Sequence, residues 1–221
     1  MRMRGVLWGL LAWCAGAGAM GDALAAQLSV GVSDRHGQPV ADAVVTVLRR
    51  DGAAPRDGAA AATRTVDQKD LTFLPYVAVF HPGDTVVFHN SDRTRHHVYS
   101  FSPVKSFEFV IAPRQAAPAL KLDRTGVVAV GCNIHDQMIS YLYVTDAPWA
   151  AKTDASGRVQ FDGLPAGAYE VRVWHPRLPP ARPDLVQAGV ALASEERRQL
   201  PFTVELRPDP RFQFDREHTR Y

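Results

Sequence analysis

Beyond the first 25 residues, short stretches in which β-branched and aromatic residues alternate with polar ones follow one another at turn-rich intervals. No stretch shows the three-to-four-residue apolar spacing of an amphipathic helix. The pattern predicts an all-β protein. Strands are expected at residues 28–32 and 43–48, then at 71–80, 85–90, 98–101, 107–111, 126–130 and 139–144, and finally at 158–161, 168–174, 186–192 and 200–206. Turn residues separate them: Asp34-Arg35-His36-Gly37 closes the first strand, and Leu164-Pro165-Ala166-Gly167 precedes the clean alternation of 168–174.

The richness of these strands changes twice along the chain. Residues 50–64 hold Asp51-Gly52, Asp57-Gly58 and a run of alanines, with little to bury, and read as a flexible connection. A second break falls at Ala147-Pro148. The expected organisation is therefore the first strands of one β-sandwich at 27–50, a linker at 51–65, a compact sandwich at 66–147, the remainder of the first sandwich at 148–206 and a polar tail at 207–221. A pair of strands at 27–50 could not stably bury an apolar face alone, so the two terminal pieces are expected to complete each other. The central sandwich would then be inserted in the terminal one, or packed beside it.

The first 25 residues break the alternation. Arg2 and Arg4 precede an apolar run at 6–20, and Ala23-Leu24-Ala25 is a small-x-small cleavage site. These features predict a signal peptide at 1–25, a periplasmic or secreted mature chain, and no membrane span once the leader is gone. Cys14 follows Trp13, where a lipoprotein box needs a small residue, so lipidation is not expected. Processing would remove Arg2, Arg4 and Asp22 and bring the formal charge from +2 close to neutral. No cluster of Lys and Arg is present, which argues against a nucleic-acid partner. Apolar residues at 46% and charged residues at 22% argue against both extensive disorder and multiple membrane spans.

Without Cys14, Cys132 is the only thiol of a chain bound for an oxidising compartment, and it has no partner for an internal disulfide. Its neighbours point to a metal. Cys132-Asn133-Ile134-His135-Asp136-Gln137-Met138 is a C-x2-H-x2-M series between the strands at 126–130 and 139–144. Thiolate and thioether select copper, imidazole suits it, and two imidazoles, one thiolate and a weak axial thioether form the donor set of a blue-copper site. The missing imidazole is expected at His96 or His97, at the start of the strand 98–101. Successive strand residues face opposite sides, so only one of the pair can serve. His96 is the first candidate, and Phe101, on the parity of His97, keeps the second alive. His81, at a turn before Pro82, and His89, set outward by inward Val86 and Phe88, are expected as solvated surface residues, and His175 is given no metal role.

The order of a histidine, then Cys-His-Met, together with Pro82-Gly83-Asp84-Thr85-Val86-Val87-Phe88-His89-Asn90, resembles the cupredoxins plastocyanin, pseudoazurin and amicyanin over roughly residues 66–144. The two-residue gap before Met138 looks most like amicyanin's short loop. The resemblance implies a Greek-key β-sandwich and one type 1 copper per chain, held by His96, Cys132, His135 and Met138. It also implies one-electron transfer through the edge of His135. The family usually reads His-Asn-Val where this chain has His96-His97-Val98, which places the ligand at His96. Ile134 stands where related loops often carry proline, and Asp136 adds an acidic neighbour.

Residues 32–43, from Val32-Ser33-Asp34 to Asp42-Ala43, resemble the opening of a carboxypeptidase regulatory-like domain. The usual continuation, D-x-x-G-x-x-x-F-x-x-L-P-x-G-x-Y, appears only at Asp154, Gly157, Phe161, Leu164, Pro165, Gly167 and Tyr169. The resemblance implies a transthyretin-like or immunoglobulin-like sandwich split around the central domain. Chains joining these two domain types resemble methylamine-utilisation proteins. The expected function is a periplasmic one-electron carrier between redox partners such as a cytochrome or a dehydrogenase. Enzymatic activity is not expected, because cupredoxin oxidases and reductases use further histidine clusters and no H-x-H pair occurs here. The alternatives are a copper-binding or delivery protein without redox cycling, and an interaction module with a secondary copper site. Assembly state is open.

Overall fold

A computed structural model of the chain describes residues 25–52, 60–181 and 183–212. Residues 1–24 of the expected leader, with Cys14, residues 53–59 of the expected linker, Arg182 and residues 213–221 of the tail lie outside the described residues. The chain is all-β. Its strands begin with β1 (Ala26–Asp34) and β2 (Val44–Arg49). They continue with β3 (Thr63–Lys69), β4 (Thr72–Leu74), β5 (Val77–Phe80), β6 (Thr85–Asn90), β7 (His96–Ser102), β8 (Lys105–Ile111), β9 (Leu120–Lys121), β10 (Gly126–Cys132) and β11 (Ile139–Val144). They end with β12 (Trp149–Lys152), β13 (Arg158–Leu164), β14 (Gly167–Trp174), β15 (Leu185–Leu192) and β16 (Arg197–Val204), before a single 3-10 turn at Pro210–Phe212.

Strands β3 to β11 make two sheets, ordered β5-β11-β10-β7-β8 and β4-β3-β6-β9. Their inward residues, among them Val66, Phe80, Val86, Phe88, Val98, Val130 and Leu142, form one core. β6 shows why: Val86, Phe88 and Asn90 are buried while Thr85, Val87 and His89 are not, the period-two pattern of a strand with one face on a core. The expected strand at 71–80 is divided in two. Asp70 and Leu71 form a tight turn with positive φ, and Pro75, which has no N–H for a ladder, separates β4 from β5. The ladder of β3 starts at Thr63 opposite Thr85, inside the stretch expected as linker.

The other sheets are β13-β1-β16 and β12-β2-β14-β15. They draw strands from both ends of the chain: β1 pairs antiparallel with β13 and parallel with β16, and β2 pairs with β12 and β14. Leu28, Val30, Val45 and Val47 from the N-terminal strands share a core with Phe161, Leu164, Tyr169, Val171 and Leu200. Gly157 closes this joint. Its φ is +71, and a Cβ there would stand 2.5 Å from the carbonyl oxygen of Val32, so the turn can lie against β1 only without a side chain.

A third cluster joins the sandwiches: Val44 meets Tyr76 and Val77, with Tyr141, Tyr143 and Trp174 packed alongside. This seam covers the β5-β11 side of the outer face of the five-stranded sheet. It leaves the β7-β8 end of that face free, where Phe101 and Val110 are exposed.

Candidate metal centre

One end of the central sandwich brings three donor atoms together. Cys132 Sγ lies 3.7 Å from His96 Nδ1 and 3.6 Å from His135 Nδ1. All three donors fall within 4.8 Å of one another, the one such grouping of histidine, cysteine and carboxylate side chains among the described residues.

Each side chain reaches this point for a local reason. His96, Val98 and Ser100 of β7 are buried, so the strand's parity sends His96 inward. β10 runs antiparallel to β7 with Cys132 opposite Val98, which carries the thiol into the same layer. Beyond Cys132 the chain turns back on itself: the Met138 N–H donates to the His135 carbonyl at 3.0 Å, and the Cys132 N–H donates to the Met138 carbonyl at 3.2 Å. His135 is thereby held on the tip of the loop, partly exposed. Met138, fully buried, sits at its foot in the core that contains Cys132.

The alternation that puts His96 inside puts His97 outside. His97 Nε2 pairs with Glu108 at 2.5 Å, and its carbonyl accepts the Asn133 N–H at 2.9 Å, tying the loop to β7. Phe101, on the same parity, points into solvent at 78% exposure. It therefore lends no support to an inward His97.

His96 is enclosed on its far side as well. Its Nε2 lies 2.8 Å from Asp92 Oδ2, and since a carboxylate only accepts, that nitrogen carries the hydrogen and Nδ1 keeps a lone pair facing Cys132. Burial would raise the pKa of Asp92, but the bond from His96 and those from the Leu71 and Asp70 amides hold it below the ordinary value. Burial, with His96 close by, pushes the pKa of His135 down, so its ring favours the neutral, lone-pair-bearing form. Asn90, fully buried, donates to the carbonyls of Thr94 at 2.8 Å and Ile111 at 3.0 Å, which fixes the loop that delivers His96. Asp92, Asn90 and Glu108 were not singled out from the sequence. The four-residue spacing between Asp92 and His96 was the available signal, but it means little until a loop bends back on itself.

The donors fit a transition-metal ion. With two separations of 3.6 and 3.7 Å and the third within 4.8 Å, an ion equidistant from the three donors would sit about 2.0–2.4 Å from each, the range of ordinary bonds to cysteine and histidine donors. One thiolate, two imidazoles and a nearby thioether make the soft and borderline set that suits copper.

The other histidines among the described residues stand apart from the cluster. His89 faces outward as expected but is not simply solvated, since its Nδ1 lies 3.0 Å from Asp67 Oδ1. The expectation of a solvated His81 is corrected: it is buried, with its backbone N–H donating to Asp84 Oδ2 at 2.8 Å and its ring Nδ1 3.8 Å from the same oxygen. The tight turn through Pro82 and Gly83 to the buried Asp84 folds the residue back over that carboxylate. His175 is buried in the terminal sandwich, where its Nδ1 accepts the Arg177 N–H at 3.1 Å.

No family model and no curated protein matches this sequence. Among solved structures, an amicyanin from Paracoccus versutus aligns at 22% identity over 46% of this chain and 97% of its own, with a TM-score of 0.34. A copper-containing nitrite reductase from Thermus scotoductus aligns at 22% identity over 37% of this chain, with a TM-score of 0.33, and only 22% of the reductase is spanned.

Proposed function

We propose that this chain is a type 1 copper protein that carries single electrons between soluble redox partners in the periplasm. The observation that carries the reading is the meeting of Cys132 Sγ, His96 Nδ1 and His135 Nδ1 within 4.8 Å of one another, with Met138 buried at the foot of the same loop. A bound copper ion would supply the one-electron couple.

The protein's part is to keep the donors still and dry. His96 is set by a strand on one side and Asp92 on the other, and Cys132 by its place in β10. Both are sealed from solvent, at 0% and 4% exposure. Donors enclosed in this way favour a resident ion over one handed on, because a delivery site must open to its acceptor. His135, partly exposed and beside the exposed Ile134, offers the short path for electrons to a docked cytochrome or dehydrogenase. The leader at 1–25 would bring the chain to the periplasm, where such partners are met.

Copper(II) added to the metal-free mature protein tests the reading. One ion per chain, an intense visible absorption, a narrow copper hyperfine splitting in paramagnetic resonance and a reversible one-electron wave are expected. Uptake of copper(I) alone, without a reversible couple, would make the ion cargo. No uptake at the cluster would end the proposal.

A further inference from the structure

Resting on that reading of the site, we infer that Asp92 is the positioning residue of the metal centre, and that it joins His96 to the β3–β4 turn through one shared carboxylate. The Oδ2 that accepts from His96 Nε2 at 2.8 Å also receives the Leu71 N–H at 3.2 Å, while Oδ1 receives the Asp70 N–H at 2.7 Å. Asp92's own N–H donates to Asn90 Oδ1 at 2.9 Å. With its backbone tied and three donors on its two oxygens, the carboxylate has one orientation, and it transmits that orientation to the His96 ring.

The other end of the tie is unusual. Asp70 and Leu71 are the two central residues of a two-residue hairpin loop, and both have positive φ, at 54° and 55°. Asn-Gly is the sequence preferred there, and neither residue present is glycine. The carboxylate of Asp92, by accepting both amides, stabilises a turn that Leu71, a branched residue at positive φ, disfavours. The turn in return holds the carboxylate against His96. Among the described residues His135 has no carboxylate partner, so the two imidazoles are held differently: His96 by a fixed anion, His135 by its loop and by the His96 ring, which it meets edge-on with centroids 5.0 Å apart.

A carboxylate behind a ligating imidazole fixes its tautomer and strengthens it as a donor, and loss of such a partner weakens metal affinity by about 10–100-fold. The negative charge also favours the more highly charged oxidation state. Asp92 is therefore expected to weight the site toward copper(II).

The test separates the metal role from the turn. Asp70→Asn with Leu71→Gly supplies a turn that forms without the carboxylate, and Asp92→Ala, which removes both the charge and the acceptor, is then made in that background. In the metal-free protein, nitrogen NMR of the His96 ring should show the Nε2–H form alone before Asp92→Ala and a mixture of tautomers after it. Copper(II) affinity should fall by about 10–100-fold, with copper(I) affinity falling less. Asp92→Glu, which keeps the charge, should recover part of the loss. A thermal midpoint equal to that of the background establishes that the fold is intact. An unchanged tautomer together with unchanged affinities would reduce Asp92 to a staple for the turn and overturn the inference. The tautomer is read without metal, so a wild-type protein that fails to take up copper would count against the proposed function and not against this.

Discussion

Trp174 at the end of β14 packs on Tyr143 of β11 across the seam between the sandwiches, with ring centroids 5.0 Å apart and planes tilted by 42°. The same indole meets Tyr141 edge-on at 6.0 Å. The seam thus rests on a few aromatic rings, and on Arg211, whose guanidinium lies 3.6 Å above the Tyr76 ring.

Trp174→Ala should uncouple the sandwiches before it unfolds either. Burying a tryptophan completely is worth about 3–5 kcal/mol to a core, and Trp174 is only partly buried, so a smaller loss is expected. Denaturant unfolding followed by both tryptophan fluorescence and copper absorption should change from one transition to two, with the visible spectrum of the native protein unaltered. A single transition at the wild-type midpoint would count against a coupling role.

Cys132→Ser should abolish the intense visible absorption, because the band requires the thiolate. Met138→Leu keeps the buried volume and should cost under about 1.5 kcal/mol, so the protein should fold and remain coloured while its midpoint potential moves. Spectroelectrochemistry on both variants checks the two roles. Colour persisting in the serine variant would remove Cys132 from the site.

His175 makes part of the stability pH-dependent. Burial, with Arg177 adding to it, pushes its pKa from 6.5 down to about 4, so the folded chain keeps the ring neutral where the unfolded chain would protonate it. Between these two values the unfolded state binds more protons, and stability must fall as the pH drops through that window. The contribution is complete above about pH 6.5 and amounts to about 3 kcal/mol over the whole window. His175→Asn keeps an acceptor for the Arg177 N–H and should flatten this slope, measured as urea midpoints at about pH 7 and about pH 4.5. An equal slope in the variant would refute the assignment.

Gly157→Ala should destabilise the terminal sandwich by about 2 kcal/mol or more, from the left-handed backbone and the clash with the Val32 carbonyl together. Gly189→Ala is the control: its φ is +70, but its Cβ would meet nothing within 4 Å. Thermal midpoints should separate the two by several degrees. Equal shifts would mean that the contact with β1 contributes nothing.

Much of this protein is legible in its residues taken locally. Alternation located most strands, because a half-buried strand repeats every two positions whatever lies across from it. The series Cys132, His135 and Met138 announced soft-metal chemistry because all three donors sit on one loop, and a loop is a local object. Pro75 and the turn at Asp70-Leu71 were missed inside an apolar run, since the aromatic and aliphatic residues around them satisfy a strand pattern equally well on either side of a break.

The choice between His96 and His97 was of another kind. Neighbouring residues of a strand differ only in the face they present, and which face is inward depends on the register of β7 against β10, on the bond from Asn133 to His97, and on Asp92 waiting behind His96. The sequence by itself determined an all-β chain carrying a thiol, an imidazole and a thioether on one short loop, because those properties belong to single segments. Only the tertiary structure decided which histidine meets that loop and what holds it there, because those contacts join segments whose spacing along the chain carries no record of their distance in space.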